Sequence, residues 1–477
     1  MINTKKIETT FPPEPFVTAE QEKQVSKNTK DFILNRVAGY FKKPFFQSVA
    51  TVTIGTIFAQ TISAAFSPLI TRLYGPEAFG ILGVFITITN ILIPLATLTY
   101  SVSIVLPAQD RDAKDLVRLS FLTALTVAFV CALVLFFSQN IIVNLLQIRT
   151  IEKFLYLVPI VLFFSACTQI IQQWMIRKKQ YKTNATIDVI SSLSINTAKA
   201  GGGLLWPFSS TLIILSAFGH FLSAMLMSFG AKKTFDFSSF SLMPTQGTLS
   251  RLKDIAKRYS DFPIFRAPQI FLNSVSLGLP VLLLTSLFSP AAAGFYVLGK
   301  NILTLPAQFL SKSFGDVFYP RIAEAGNRGE NISRLIIHAT LGLMAVGIIP
   351  FGLIAIFGPR LFTLVFGNEW TMAGQYARWL ALWTFLAFLN KPSVLSILVL
   401  KLQGFLLAFE IVSITLRTAA LFLGYMFCKS DIAAVASFCI AGAILNIALI
   451  LYVISKSTKV QQLINISDSE VADRNNL

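Results

Sequence analysis

Five basic residues fall inside long apolar runs in the C-terminal half of this chain: Arg266, Lys300, Lys312, Lys391 and Arg417. Lys199 does the same in the N-terminal half. A charge at the centre of a membrane-spanning helix costs at least about 2.5 kcal/mol, so such residues are paired or functional. Intramembrane carboxylates are fewer: Asp188 and Glu410 are the clearest, with Asp261 and Asp316 near the ends of runs. The surplus is therefore cationic. Glu410 and Arg417 stand seven residues apart on one helix face, and Lys391 lies on the preceding antiparallel helix. Those three read as an ion-paired or coupling cluster, because buried charges are usually paired. Asp188 and Lys199 share a face but are too far apart along the helix to pair directly. Lys312 is placed to snorkel towards the membrane surface. Arg266 and Lys300 have no evident partner in the sequence. They are the candidate contacts for an anionic substrate, the arginine binding phosphate oxygens bidentately and the lysine acting as a point charge. The alternative is that each is satisfied structurally.

Neutral polar residues form stripes at helical spacing. The run 46–71 carries Thr53, Thr56, Gln60, Ser63 and Ser67, and the run 79–106 carries Thr87, Asn90, Pro94, Thr97 and Ser101. The run 263–288 carries Arg266, Gln269, Asn273 and Ser276. Spacings of three and four residues place each set on one face. Such faces turn towards other helices or a water-filled cavity, since facing lipid would be costly. Packing glue between helices is the competing explanation for any one stripe. Gln60, Asn90, Asn273, Thr304 and Gln308 are the candidate neutral lining of a cavity. His220 and His338 are solitary and read as packing residues. Cys131, Cys167, Cys428 and Cys439 lack metal-ligand spacing.

The elements that carry these residues are membrane helices. The chain has 477 residues, is 54% hydrophobic and only 13% charged, where soluble proteins have about 25% charged residues. Its mean hydropathy is +0.67. Twelve runs are long enough to cross a bilayer: 46–71, 79–106, 118–138, 154–175, 183–204, 210–230, 263–288, 293–319, 333–357, 376–400, 404–428 and 431–455. The fold class expected is an all-α polytopic membrane protein. The net charge of +17 resides mainly in alternate loops, which places both termini in the cytoplasm by the positive-inside rule and argues against a nucleic-acid partner. Trp174, Trp206 and Trp370 fall near the ends of runs, where an aromatic belt would lie.

The organisation expected is a cytoplasmic basic tail (1–45), a first six-helix lobe (46–230), a cytoplasmic linker (231–262), a second six-helix lobe (263–455) and a cytoplasmic C-terminal tail (456–477). Within the first tail, Phe32 to Lys43 reads either as a short basic amphipathic surface helix or as a frayed tail. Within the linker, Leu249 to Tyr259 reads as a second amphipathic helix. The two lobes echo each other at a constant offset of 214: Leu69, Thr71, Leu73, Pro76, Ala78 and Gly80 recur as Leu283, Thr285, Leu287, Pro290, Ala292 and Gly294. The same offset takes Thr87, Asn90, Pro94 and Thr97 to Asn301, Thr304, Gln308 and Ser311, again one face of a helix. Two parallel repeats around a central cavity follow from that match.

Five stretches carry a family resemblance: "LITRLYGPEAFGILGVF" (from Leu69), "IVLP" (from Ile104), "FSPAAAGFYVLGKNILTLPAQFL" (from Phe288), "GDVFYPRIAEA" (from Gly315) and "FGPRLFTLVFGNEWTMAGQYARWLA" (from Phe357). Over about residues 45–455 the chain resembles bacterial polysaccharide-biosynthesis flippases of the multidrug/oligosaccharidyl-lipid/polysaccharide exporter superfamily. The resemblance implies a V-shaped cavity between two bundles and alternating access. It also implies a multi-pass inner-membrane protein that moves an undecaprenyl-pyrophosphate-linked oligosaccharide between leaflets, alongside a glycan polymerase and export complex. It implies no catalytic residue and no bound cofactor, with turnover coupled to membrane potential or to a proton or sodium gradient. Relatives often carry an Arg-Tyr-acid pattern before "IVLP"; this chain has Thr99, Tyr100 and Ser101 there, so that contact does not carry over. The competing readings are a cation-coupled drug or small-molecule exporter, which would want cavity carboxylates, and a membrane-embedded glycan polymerase, which would want a sizeable extracytoplasmic loop or a soluble catalytic domain.

Overall fold

A computed structural model of the chain describes residues 44–235, 246–328, 330–400 and 402–475, and nearly all of them are helical. The candidate surface helix at Phe32 to Lys43 lies outside the described residues, as do the side chains of Lys312 and Asp316. Helix α1 (Pro44–Ala96) contains the first apolar run and most of the second. Its 53 residues would stretch about 80 Å if straight, against a hydrocarbon core of about 30 Å. The chain breaks instead at Gly75, with φ 71° and ψ 173°, backbone that only glycine adopts without strain. The two halves then lie side by side: Gln60, Ser63 and Ile70 line the same pocket as Phe79, Leu82 and Ile86.

A short α2 (Tyr100–Ser103) follows, then α3 (Asp110–Leu146), α4 (Val158–Arg177), α5 (Tyr181–Leu205) and α6 (Ser209–Ala231). They pack with α1 as an N-terminal bundle. Helix α7 (Gln246–Arg258) buries Leu252 and Ile255. It is also anchored by charge, with Arg251 3.6 Å from Asp115 and Arg258 3.4 Å from Asp112 on α3. The amphipathic helix expected in the linker is thus docked on the N-terminal bundle. A π turn (Phe262–Arg266) leads into the C-terminal bundle. Its helices are α8 (Ala267–Leu287), α9 (Pro290–Asn327), α10 (Ile332–Phe366), α11 (Thr371–Leu389), α12 (Lys391–Val399), α13 (Gln403–Cys428) and α14 (Asp431–Asn475). Ser289 caps α9 by accepting from the Ala292 amide at 3.2 Å, and Asn331 caps α10 through the Arg334 amide at 2.9 Å, as short polar side chains commonly do at helix starts.

Among the described residues, eight helices are long and apolar enough to cross a membrane, or nine if α11 and α12, bent by 41°, form one broken span. The sequence runs suggest twelve. Each run falls on a helix, but α1 counts once although it holds two runs, and α5 and α9 are too polar to qualify. The outer faces carry large bare apolar side chains, among them Phe137 at 77% and Phe427 at 83% exposed, which suit contact with lipid tails. Of the three tryptophans expected in an interfacial belt, only Trp206 is displayed; Trp174 and Trp370 are buried inside the protein.

The two bundles meet at the repeated turn. A Cβ placed on Gly80 would lie 1.7 Å from the Pro290 carbonyl oxygen, and one on Gly294 would lie 2.2 Å from that of Pro76. The offset of 214 exchanges these two contacts, so the echoed residues pack on each other across a pseudo-two-fold axis. Around them, the Arg72 guanidinium donates to the carbonyls of Leu364 (3.0 Å) and Val365 (2.9 Å) at the end of α10. The Trp370 indole donates to the Thr71 carbonyl at 3.2 Å and meets Phe79 and Phe295 edge-on. This cluster seals one end of the junction.

Because nothing larger than glycine fits there, Gly80→Val is expected to push the turns apart and cost about 1–3 kcal/mol by overpacking. Gly201→Ala, with nothing within 4 Å of the added carbon, serves as the control, within about 0.5 kcal/mol of wild type. Thermal unfolding in detergent compares the two.

Candidate functional site

Below the seal, polar faces of α1 and α9 oppose each other across a cleft. Three cavities make it up, of about 410, 520 and 500 Å³. The first lies directly under the seal between Ser63, Ser67, Asn301, Thr304 and Gln308. The second extends away from it between Thr56, Gln308, Ser311, Thr384 and Lys391. The third enters the N-terminal bundle between α1, α5 and α6 and includes Asn90, Asp188, Asn196, Lys199 and His220. Gln60 lines all three, so the cavities adjoin one another at this residue.

The helices hold these side chains in register by bonding the surplus polar groups to each other. Ser192 donates to the Ala59 carbonyl at 2.8 Å, and the Asn196 amide donates to the Ser192 carbonyl at 2.7 Å and to Ser63 Oγ at 3.0 Å. These bonds, with a contact at Gly55 too close for any side chain against Ala185, clamp α5 onto α1. Small residues permit such approach between membrane helices. Farther along, Thr97 and Ser101 bond to each other at 3.0 Å rather than facing the cleft. Thr99 has φ 59° and donates to the Phe262 carbonyl at 3.0 Å. Tyr100 donates to the Ala256 carbonyl at 3.3 Å. Those residues therefore tie the N-terminal bundle to the segment that leads into the C-terminal one.

Of the residues singled out from sequence, Gln60, Asn90, Thr304 and Gln308 line the cleft. Asn273, Arg266 and Lys300 lie outside the three cavities. Arg266 is exposed in the π turn before α8. Lys300 donates its ammonium to the Leu277 carbonyl at 3.0 Å, a partner that charge pairing in the sequence does not reveal. The cations inside the cleft are Lys199 and Lys391. Lys391 occupies the break between α11 and α12, where Pro392 interrupts the helix. No carboxylate pairs with either lysine among the described residues. Lys199 carries a sequence signal: Asp188, Ser192, Asn196 and Lys199 follow spacings of four, four and three along α5, a polar stripe like those on α1 and α9.

Glu410 and Arg417 do meet, at 3.5 Å, while Lys391 stands apart from them in the cleft. The buried Arg417 guanidinium also donates to the Ser413 carbonyl (3.1 Å) and Ser276 Oγ (3.3 Å), and it sits 5.5 Å from the Trp383 ring centre and 5.7 Å from that of Phe438. It thereby braces α8, α11, α13 and α14 together. Among the described residues no group of three or more His, Cys, Asp or Glu is placed to hold a metal ion.

Comparison with known proteins follows the same lines. A family model described as "Polysaccharide biosynthesis protein" matches residues 69–375. Among solved structures, the chain is similar to an inward-facing multidrug resistance MATE family transporter of the MOP superfamily. The identity is 12%, the match covers 84% of this chain and 96% of that one, and the TM-score is 0.66. It is also similar to the lipid II flippase MurJ in its inward closed conformation, at 12% identity over 87% and 92% of the two chains with a TM-score of 0.63. A MOP superfamily transporter from Pyrococcus furiosus matches at 12% identity over 86% and 95% with a TM-score of 0.53. At these identities the likeness shows the fold. No curated protein matches the chain.

The brace at Arg417 predicts a stability phenotype. Arg417→Ala strands the polar groups around it and is expected to destabilise the C-terminal bundle by about 2 kcal/mol or more. Arg417→Lys should recover little, because an ammonium cannot cover the same fork of acceptors or stack on the rings as a guanidinium does. Melting temperature in detergent reads both.

Proposed function

Since the chain belongs to the polysaccharide biosynthesis protein family, we propose that it flips a lipid-linked oligosaccharide from the cytoplasmic to the periplasmic leaflet of a bacterial inner membrane. The substrate is an undecaprenyl-pyrophosphate glycan, a precursor for O-antigen, capsule or exopolysaccharide. The observation that carries this reading is the cleft between matched polar faces, which contains two cations and a dense set of neutral hydrogen-bonding groups. A diphosphate seeks the cations, and a glycan seeks the neutral donors and acceptors. The fold shared with both a multidrug transporter and a lipid II flippase is compatible with alternating access.

The basic loops put both termini in the cytoplasm and, with twelve spans in two lobes of six, put the seal of Arg72, Trp370 and the paired turns on the periplasmic side. The substrate then enters from the cytoplasmic side, meets Lys391 at the helix break and reaches towards Lys199 beneath the seal. Arg266 and Lys300, outside the three cavities, have at most an auxiliary part in attracting the anionic substrate. The lobes rock apart at the seal to release the headgroup outward, while the lipid tail stays in the bilayer. No covalent step is needed, so the protein is a transporter rather than an enzyme. Turnover draws on the membrane potential or an ion gradient, and a glycan polymerase and export complex take the product.

Deleting the gene is expected to remove a surface glycan and to accumulate its lipid-linked precursor in the cytoplasmic leaflet. Unchanged glycan with altered drug resistance would contradict the reading. In complementation, Lys391→Ala and Lys199→Ala are expected to lower surface glycan by about tenfold, from the loss of roughly 1.4 kcal/mol or more of interaction each. Arg266→Ala and Lys300→Ala should cost less, about two- to fivefold. Membrane levels of each variant, read by immunoblot, control for folding.

A further inference from the structure

We propose that the cavity inside the N-terminal bundle is a glycan subsite, separate from the part of the cleft around Lys391; the proposal rests on the reading of the chain as a lipid-linked glycan flippase. At about 500 Å³ the cavity has the size of a small-molecule site. Its chemistry is unusual for the interior of a helical bundle. Asn90, Ser191, Ser216 and Ser223 are presented into it from α1, α5 and α6. An apolar drug would call for apolar walls and a phosphate for clustered cations. A wall of hydroxyls and amides suits a ligand whose hydroxyls both donate and accept.

Two polar atoms of its lining are left without partners among the described residues. Ser191 Oγ and Gln60 Oε1 are buried and make no hydrogen bond among the described residues. A buried polar atom of this kind is destabilising unless something satisfies it. Asn196 spends its amide on Ser63 and Ser192, which fixes its orientation and leaves its carbonyl oxygen to accept from a ligand. The clamp between α1 and α5 therefore pre-organises the acceptors, and pre-organisation reduces the ordering cost of binding.

Two charges complete the site. Asp188 and Lys199 both line the cavity, eleven residues apart on α5, about 16 Å along the helix axis. Neither is ion-paired among the described residues. A carboxylate can accept from two neighbouring sugar hydroxyls, and an ammonium can donate to a sugar carbonyl or carboxylate. Their separation suits a short oligosaccharide better than a single ring. His220 Nδ1 lies 2.9 Å from Ser165 Oγ, so the imidazole is held in place at the cavity wall. Gln60 and Thr56 line both this cavity and the one containing Lys391, so the two are immediate neighbours along α1. One molecule can therefore place its diphosphate at Lys391 and its glycan in the N-terminal bundle.

Native mass spectrometry of the full chain in detergent tests this with two probes: undecaprenyl diphosphate, and the glycan-bearing lipid extracted from cells lacking the gene. Wild type is expected to bind the extracted lipid at least tenfold more tightly than undecaprenyl diphosphate. The double variant Asp188→Asn with Asn196→Ala, and the milder Ser191→Ala, should weaken the extracted lipid, about tenfold for the double, and leave undecaprenyl diphosphate within twofold. Lys391→Ala should weaken both probes. Variants are compared only as monodisperse protein, with Ser191→Ala alone deciding the matter if the double variant does not fold. Equal binding of the two probes by wild type, or equal effects of the Asp188/Asn196 and Ser191 variants on both, overturns the glycan subsite and leaves the flippase reading standing. Failure of wild type to bind either probe overturns the flippase reading and the subsite with it.

Discussion

The reciprocal contact of Pro76 with Gly294 and of Pro290 with Gly80 sets the geometry of the whole molecule. Two backbones approach so closely there that neither glycine can carry a side chain. Repeat symmetry makes the contact self-complementary, in the way a two-fold dimer interface is. It is one point of a longer junction between the bundles, which continues where Gly278 of α8 packs closely on Thr87 and Ile91 of α1. The polar faces of α1 and α9, which continue from these turns, are thereby set opposite each other with space between them. Arg72 and Trp370 reinforce the junction by bonding backbone carbonyls of the other bundle or of the turn itself. Hydrogen bonds and ring edges surround the glycine contact, and buried apolar residues of both bundles, among them Phe85, Leu284 and Tyr296, pack into one shared core.

The cleft follows a division of labour by charge. Most polar groups in its walls are neutral and are partly bonded to each other, which keeps the cost of placing them in a membrane protein tolerable. The few cations are far apart. Arg417 is spent on bracing helices and Lys300 on a carbonyl, leaving Lys199 and Lys391 in the cleft itself. The neutral residues Thr99 and Ser101 fit that pattern. Thr99 bonds to the Phe262 carbonyl near the start of the C-terminal bundle, and Ser101 bonds to Thr97 within the N-terminal one. In the proposed cycle the ligand must favour the opened seal over the closed one, because a ligand shifts an equilibrium only by its differential affinity.

Much of this was legible in the sequence because polar residues stand out against an apolar background. The stripes on α1 and α9 line the cleft at Gln60, Ser63, Asn301, Thr304 and Gln308, and the offset of 214 was visible before any contact was known. The meaning of that offset was not. Gly80 and Pro290 are remote in the chain, and nothing in either turn says that it packs on the other. Trp370 read as an interfacial residue because its position near the end of a run is the same whether it faces lipid or the opposite bundle. Lys300 looked unpaired because pairing was judged by acidic side chains, and a backbone carbonyl such as that of Leu277 leaves no trace in composition. Lys199 was seen as a buried charge, but the face it occupies depends on the α1–α5 clamp, which small residues create.

In the proposed alternating-access cycle the paired turns are the gate. Spin labels at Glu77 and Glu369, both exposed beside the seal on opposite bundles, would report it by pulsed dipolar spectroscopy in lipid bilayers, after replacement of Cys131, Cys167, Cys428 and Cys439. A short distance is expected in the resting protein, with a second, longer one that grows when the lipid-linked glycan is supplied. A single unchanged distance with and without that lipid, in protein that still transports it, would rule out a gate at the turns.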